Sequence, residues 1–179
     1  MNATERRATW SLAGLFAMRM LGLFMILPVF AIYGQSLVGS TPALLGLAIG
    51  AYGLTQALLQ VPFGFLSDRI DRKPVIYLGL MLFGLGSVVA ALSHTIEGVI
   101  VGRFLQGAGA IASAVMALLA DSTRDEQRSK AMAIVGGSIG LSFILALIVG
   151  PVVAGWFNLS GVFWLTAILA GVGLVLTWR

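Results

Sequence analysis

Pro74-Val-Ile-Tyr-Leu-Gly-Leu-Met-Leu-Phe-Gly-Leu-Gly-Ser-Val-Val-Ala-Ala-Leu92 runs without an acidic or basic side chain. Wound as an α-helix at 1.5 Å per residue, it reaches ~28 Å, close to the ~30 Å hydrocarbon core of a bilayer. It is longer than a barrel strand requires, and its apolar residues do not alternate. The stretch therefore reads as a transmembrane helix. Five more apolar stretches lie around it: about Trp10–Tyr33, Pro42–Leu66, Glu97–Ala120, Asp125–Trp156, and a last one that starts after Asn158-Leu159-Ser160-Gly161 and runs to Trp178. Together they use most of the 179 residues and leave no room for a soluble domain. The expected fold class is an all-α membrane protein, with residues 1–179 forming one six-span unit.

Composition agrees. Apolar residues make up 59% of the chain and charged ones 10%, where soluble domains carry about 25% charged residues. The absence of cysteine excludes disulfides and thiolate metal sites. The one histidine, His94, sits in a short polar turn and offers no converging ligand set. No metal site and no cofactor are expected. The net charge of +4 is not read as a nucleic-acid signal, because the basic residues lie in short loops. Arg6 and Arg7 before the first apolar run resemble a signal-peptide n-region. Arg19 interrupts that run, however, and no small-x-small cleavage site follows, so the run is expected to stay as an uncleaved first span.

The basic residues set the orientation. Arg6 and Arg7 precede span 1. Arg69, Arg72 and Lys73 join spans 2 and 3, Arg124, Arg128 and Lys130 join spans 4 and 5, and Arg179 ends the chain. The other three connections hold no lysine or arginine. Six spans put every basic segment on one side, with both termini cytoplasmic. Ser40-Thr41-Pro42 is a helix start, with a capping hydroxyl before proline at the first helical position. Thr123 to Glu126 matches a capping box. Gly46-x-x-x-Gly50 and Gly136-x-x-x-Gly140 are spaced to let helix backbones approach in lipid.

Polar groups inside the spans point to function. A charge in mid-membrane costs at least about 2.5 kcal/mol on insertion scales, so it faces a wet cavity or a partner. Arg19 in span 1 and Arg103 in span 4 are such charges; for Arg19, snorkelling to the interface is the competing reading. Span 4 sets Arg103, Gln106, Gly107 and Ala110 on one face, and span 2 sets Tyr52, Gln56 and Gln60 on one face. These two stripes are expected to line a shared cavity for a small-molecule substrate, with interhelical hydrogen bonding as the alternative. At the other location, Asp68 and Asp121 end spans 2 and 4, where the helix dipole disfavours an anion. Arg69, Arg72 and Lys73 supply the cations. A network of Asp68, Arg72 and Asp121 would form a latch that breaks in another conformation.

These residues also carry a family pattern. Gly64-Phe65-Leu66-Ser67-Asp68-Arg69-Ile70-Asp71-Arg72-Lys73 resembles the loop 2–3 signature of the major facilitator superfamily. Arg103-x-x-Gln106-Gly107-x-Gly109-Ala110 resembles its span 4 signature. Gly150-Pro151-x-x-Ala154-Gly155 resembles the span 5 signature of its proton-coupled drug antiporters, and Leu21-Gly22 followed by Pro28 resembles their span 1 motif. The resemblance implies the N-terminal six-helix half of such a transporter, built as a 3+3 inverted repeat in a bacterial inner membrane. It implies proton-coupled efflux (antiport) of small molecules or drugs, driven by the proton gradient without a cofactor. It implies a cavity role for Arg103, a latch of Asp68, Arg72 and Asp121, and a span 5 shaped by Gly150, Pro151 and Gly155. Two departures stand out. Asp71 occupies the family's glycine position and sets an anion beside Arg69 and Arg72, in competition with Asp68. The family has twelve or more spans, and six are found here.

Activity is thus expected only with a second six-span chain or a second copy completing the cavity. The alternative is a truncated or non-transporting membrane protein that pairs with or regulates a full transporter. An enzyme is not expected, since there is no paired-carboxylate, metal-ligand or nucleophile–base set.

Overall fold

The computed structural model describes residues 1–178; Arg179, counted above among the basic residues, lies outside them. The helices are α1 (Ala3–Tyr33), α2 (Pro42–Ile70), α3 (Arg72–Leu92), α4 (Ile96–Ala108), α5 (Ala112–Asp121) and α6 (Asp125–Trp178), with a 3-10 turn over Gly34–Ser36. No strand occurs among the described residues; an isolated bridge joins Val38 to Thr95. Through it the 1–2 and 3–4 connections are tied, Val38 donating to the His94 carbonyl at 3.1 Å and accepting from the Ile96 N–H at 3.0 Å.

Helix starts follow the capping residues. Thr41 accepts from the Leu44 N–H, with Pro42 opening α2. Asn2 and Glu5 form a capping box on α1 that the sequence reading missed. The box read at Thr123–Glu126 does not form: the Thr123 hydroxyl instead donates back to the Leu119 carbonyl at 2.8 Å.

Among the described residues, five helical segments are long and apolar enough to cross a membrane, where six separate ones were expected. The difference lies in α6. Its 54 residues would extend ~81 Å as one rod, far more than a bilayer core. At Asn158 the backbone leaves helical geometry (φ 57°, ψ −165°), a positive φ that asparagine adopts more readily than most residues. Before Asn158, α6 runs parallel to α1: Ser138 donates to the Ala13 carbonyl (3.3 Å), Ser142 to Ala17 (3.0 Å), and Gly150 lies on Met25. After it the direction is opposite, with Thr166 on Gly22 and Gly173 on Leu15. The chain turns back on α1 at this residue. The predicted fourth span is also not one helix: α4 ends at Ala108, Gly109 caps it, and α5 begins at Ala112. Ala110 therefore lies beyond the face it was expected to share with Arg103, though it is fully buried.

Glycine sets the helix spacing, but not at the expected repeats. A Cβ at Gly46, Gly50, Gly136 or Gly140 would meet nothing within 4 Å. The close approaches lie elsewhere. A Cβ at Gly86 would sit 2.5 Å from the Gln106 nitrogen and 2.6 Å from the Gly102 carbonyl, and one at Gly102 would sit 2.7 Å from the Gly86 carbonyl. Glycine at both positions lets α3 and α4 meet backbone to backbone. Gly107 lies equally close to the Tyr52 carbonyl, which brings α2 and α4 together.

Candidate functional site

Arg103 projects from α4 into the bundle and is 1% exposed. Its Nη1 donates to Gln106 Oε1 at 2.8 Å and its Nε to the Ala48 carbonyl of α2 at 3.3 Å. Its guanidinium stacks over the Tyr52 ring, 4.8 Å from the centroid, where the ring quadrupole attracts a cation. Gln106 passes the network on, its Nε2 donating to Ser87 Oγ of α3 at 2.7 Å. The two polar faces read from the sequence thus meet at Arg103 and Tyr52. Ser87, which closes the network, carries no signal in the sequence beyond its hydroxyl.

Arg19, from α1, is 2% exposed and packs inside the bundle rather than reaching for an interface. Its Nη2 donates to the Gly109 carbonyl at 2.8 Å and lies 3.5 Å from Gln56 Oε1. The guanidinium sits 5.4 Å from the Phe83 ring centroid. Gly109 is where the helix breaks, and its carbonyl, outside the helical ladder, accepts from the Ile111 N–H at 2.9 Å as well as from Arg19. Arg19 Nε and Nη1, the Tyr52 hydroxyl and Gln60 Oε1 are buried without a hydrogen-bond partner among the described residues. Neither arginine has a carboxylate partner among them.

A second cluster lies at the bundle end that carries the basic connections. Arg72, at the start of α3, pairs through Nη1 with Asp68 and through Nε with Asp121 Oδ2 at 3.0 Å, and its Nη1 donates to Ser67 Oγ at 3.1 Å. Asp68, and then Asp121, raise the arginine's pKa above its ordinary value. The end of α2, the start of α3 and the end of α5 are thereby clamped by one guanidinium. Asp71 does not compete for it: its carboxylate accepts the Arg72 backbone N–H at 2.7 Å and caps α3. Its backbone, at φ 131° and ψ 155°, lies in a region that glycine adopts freely. Arg69 and Lys73 make no ion pair among the described residues.

A further clamp escaped sequence reading. Glu5, 4% exposed, accepts from the Arg124 backbone N–H (3.2 Å) and Nε (2.8 Å). The Arg124 guanidinium, helped by the Asn2 N–H, holds the Glu5 carboxyl down to about 2. The two residues are 119 apart, and no local pattern announces the pair. Gly150 meets the Met25 carbonyl at 2.7 Å and keeps its close-packing role, whereas Gly155 faces open space and Pro151 is exposed.

Two buried arginines in an apolar bundle and an acid–arginine–acid clamp at its end coincide with a match to the Major Facilitator Superfamily over residues 12–179. The chain belongs to that family. Among Major Facilitator proteins, it is 56% identical to the inner membrane transport protein YajR of Escherichia coli (strain K12) over 99% of its own length and 39% of that protein's. It is 30% identical to the quinolone resistance protein NorA of Staphylococcus aureus over 76% of its length and 34% of that protein's. It thus spans well under half of these relatives. Among solved structures, the bundle superposes on the POT family transporter PepTSo with a TM-score of 0.84 at 19% identity. That match covers 99% of this chain and 37% of the other. A human organic anion transporter gives 0.81 at 21%, covering 99% and 47%.

Proposed function

We propose that the chain crosses the bacterial inner membrane six times, with both termini cytoplasmic, as the N-terminal 3+3 half of a transporter exporting small molecules by proton antiport. The reversal of α6 at Asn158 supports the sixth crossing. The basic connections, gathered at one end, support the orientation. The observation that carries the transport reading is the pair of buried arginines, Arg19 and Arg103, held with no carboxylate partner among the described residues. Such charges are costly and are retained where they meet a substrate or a coupling group. Gln56 and Gln60, half-buried on α2, border a substrate cavity whose opposite wall is a second six-span unit or a second copy, with Arg19, Arg103, Gln106 and Tyr52 packed behind that face. Export and drug-like substrates rest on the likeness to the quinolone resistance protein.

The clamp supports the mechanism. Arg72 holds Asp68 and Asp121 across three helix ends, and rocking of the halves would break and remake such contacts. Gly150 lets α6 slide close to α1. The proton gradient supplies the energy, and no cofactor enters.

The test is reconstitution. The purified chain is sized in mild detergent, placed in proteoliposomes, and assayed for efflux of a fluorescent cation under an imposed pH gradient. A dimer with gradient-driven flux abolished by Arg103→Ala supports a paired half-transporter. A monomer without flux overturns transport by this chain alone.

A further inference from the structure

A cleft of about 520 Å³ opens at the end of the bundle that carries the basic connections. It is separate from the arginine cluster and from the Arg72 clamp. Thr4, Arg7, Ala8, Ser11, Leu12 and Leu15 line it from α1, in steps of three and four residues that keep one helix face turned inward. Lys73 of α3, Leu118 and Ser122 at the end of α5, and Leu176 and Thr177 of α6 complete it.

The lining is sorted by depth. Along α1, Thr4 and Arg7 come first, Ser11 follows, and Leu12 and Leu15 lie deepest, both buried. From Thr4 to Leu15 is about 16 Å of helix rise. The cleft therefore runs from the interface into the level of the hydrocarbon, cationic and hydroxylated at its mouth and leucine-walled below.

The charge is uncompensated. Among the described residues, Arg7 and Lys73 make no ion pair and no acidic residue lines the cleft. The nearby acids are engaged elsewhere: Glu5 by Arg124, Asp68 and Asp121 by Arg72, and Asp71 by the backbone of α3. Two free cations above an apolar slot call for a ligand with an anionic head and an aliphatic tail. Basic pockets between transmembrane helices near the cytoplasmic surface hold anionic lipid headgroups in this way.

We propose that this cleft is a binding site for one anionic phospholipid, its phosphate held by Arg7 and Lys73 with the hydroxyl of Ser11, and one acyl chain seated against Leu12, Leu15 and Leu118. The lipid would bridge α1, α3 and α6 at the mouth of the cleft. The inference does not depend on transport.

Native mass spectrometry tests it. The purified chain in mild detergent is offered equal amounts of dioleoyl-phosphatidylglycerol and dioleoyl-phosphatidylcholine, and retained adducts are counted. One phosphatidylglycerol is expected to survive at activation energies that strip phosphatidylcholine, with at least a fivefold preference. Arg7→Gln with Lys73→Gln should abolish the preference. Arg7→Lys with Lys73→Arg should keep it, which guards against loss through misfolding, and Ser11→Trp should block the slot without changing charge. Arg6→Gln with Lys130→Gln removes the same charge at the same end but outside the cleft, and should leave the adduct intact. Equal loss in that control, or no loss in the Arg7/Lys73 pair, overturns the site. Displacement of the lipid by millimolar inorganic phosphate would instead show a phosphate site without lipid selectivity, and would overturn the proposal as stated.

Discussion

Gly86→Ala is a substitution whose cost follows directly from backbone contacts. The new Cβ would stand 2.5 Å from the Gln106 nitrogen and 2.6 Å from the Gly102 carbonyl. Both are backbone atoms of α4, so neither can rotate aside. Reaching ordinary contact at 3.4 Å requires α3 and α4 to part by about 0.9 Å at this crossing. Forcing a methyl group into a packed interior costs about 1–3 kcal/mol, a factor of roughly 5–150 in the folded population. The same shift moves Gln106, which links Arg103 to Ser87. Gly46→Ala is the control: nothing lies within 4 Å of its Cβ, and alanine's better helix propensity should leave stability unchanged or raise it by up to ~1 kcal/mol. Reversible unfolding of the purified chain in mixed micelles, titrated with sodium dodecyl sulfate and followed by circular dichroism, measures both. If Gly46→Ala costs as much as Gly86→Ala, or if Gly86→Ala is neutral, the backbone-contact account of helix spacing here is wrong.

Asp71→Gly should stabilise the chain by roughly 1–2 kcal/mol: it removes strain of about 1–3 kcal/mol at φ 131°, at the loss of a cap for which glycine costs only tenths; the same micelle titration reads it. Arg72→Ala and Asp121→Asn should be non-additive in a double-mutant cycle, with a coupling of about 0.5–1 kcal/mol, since Asp121 is 57% exposed and exposed pairs are weak. The Glu5 pair predicts an acid limb. A carboxyl lowered from 4.5 to about 2 contributes stability in full above 4.5 and loses it as pH falls toward 2. Melting temperatures across that window should fall more steeply for the wild type than for Glu5→Gln.

Membrane spans were legible because bilayer thickness and backbone hydrogen bonding demand long uncharged helices, a constraint local to each stretch. The capping threonine of α2 also followed from a short spacing, and the pairing of Arg72 with Asp68 and Asp121 from the direction of spans 2 and 4. What tertiary structure alone decided were contacts between residues far apart in the chain. Glycine spacing in sequence did not say which glycines meet a neighbour: Gly46 and Gly136 face open space, while Gly86, Gly102 and Gly107 carry the helix crossings. The carbonyl of Gly109, where α4 ends, is met by Arg19, ninety residues away. Glu5 found Arg124, and Asp71 turned to its own helix rather than to the guanidinium beside it. Hydropathy and helical period act along one element at a time. Which polar group satisfies which, and how close two backbones come, is settled only when the elements are packed.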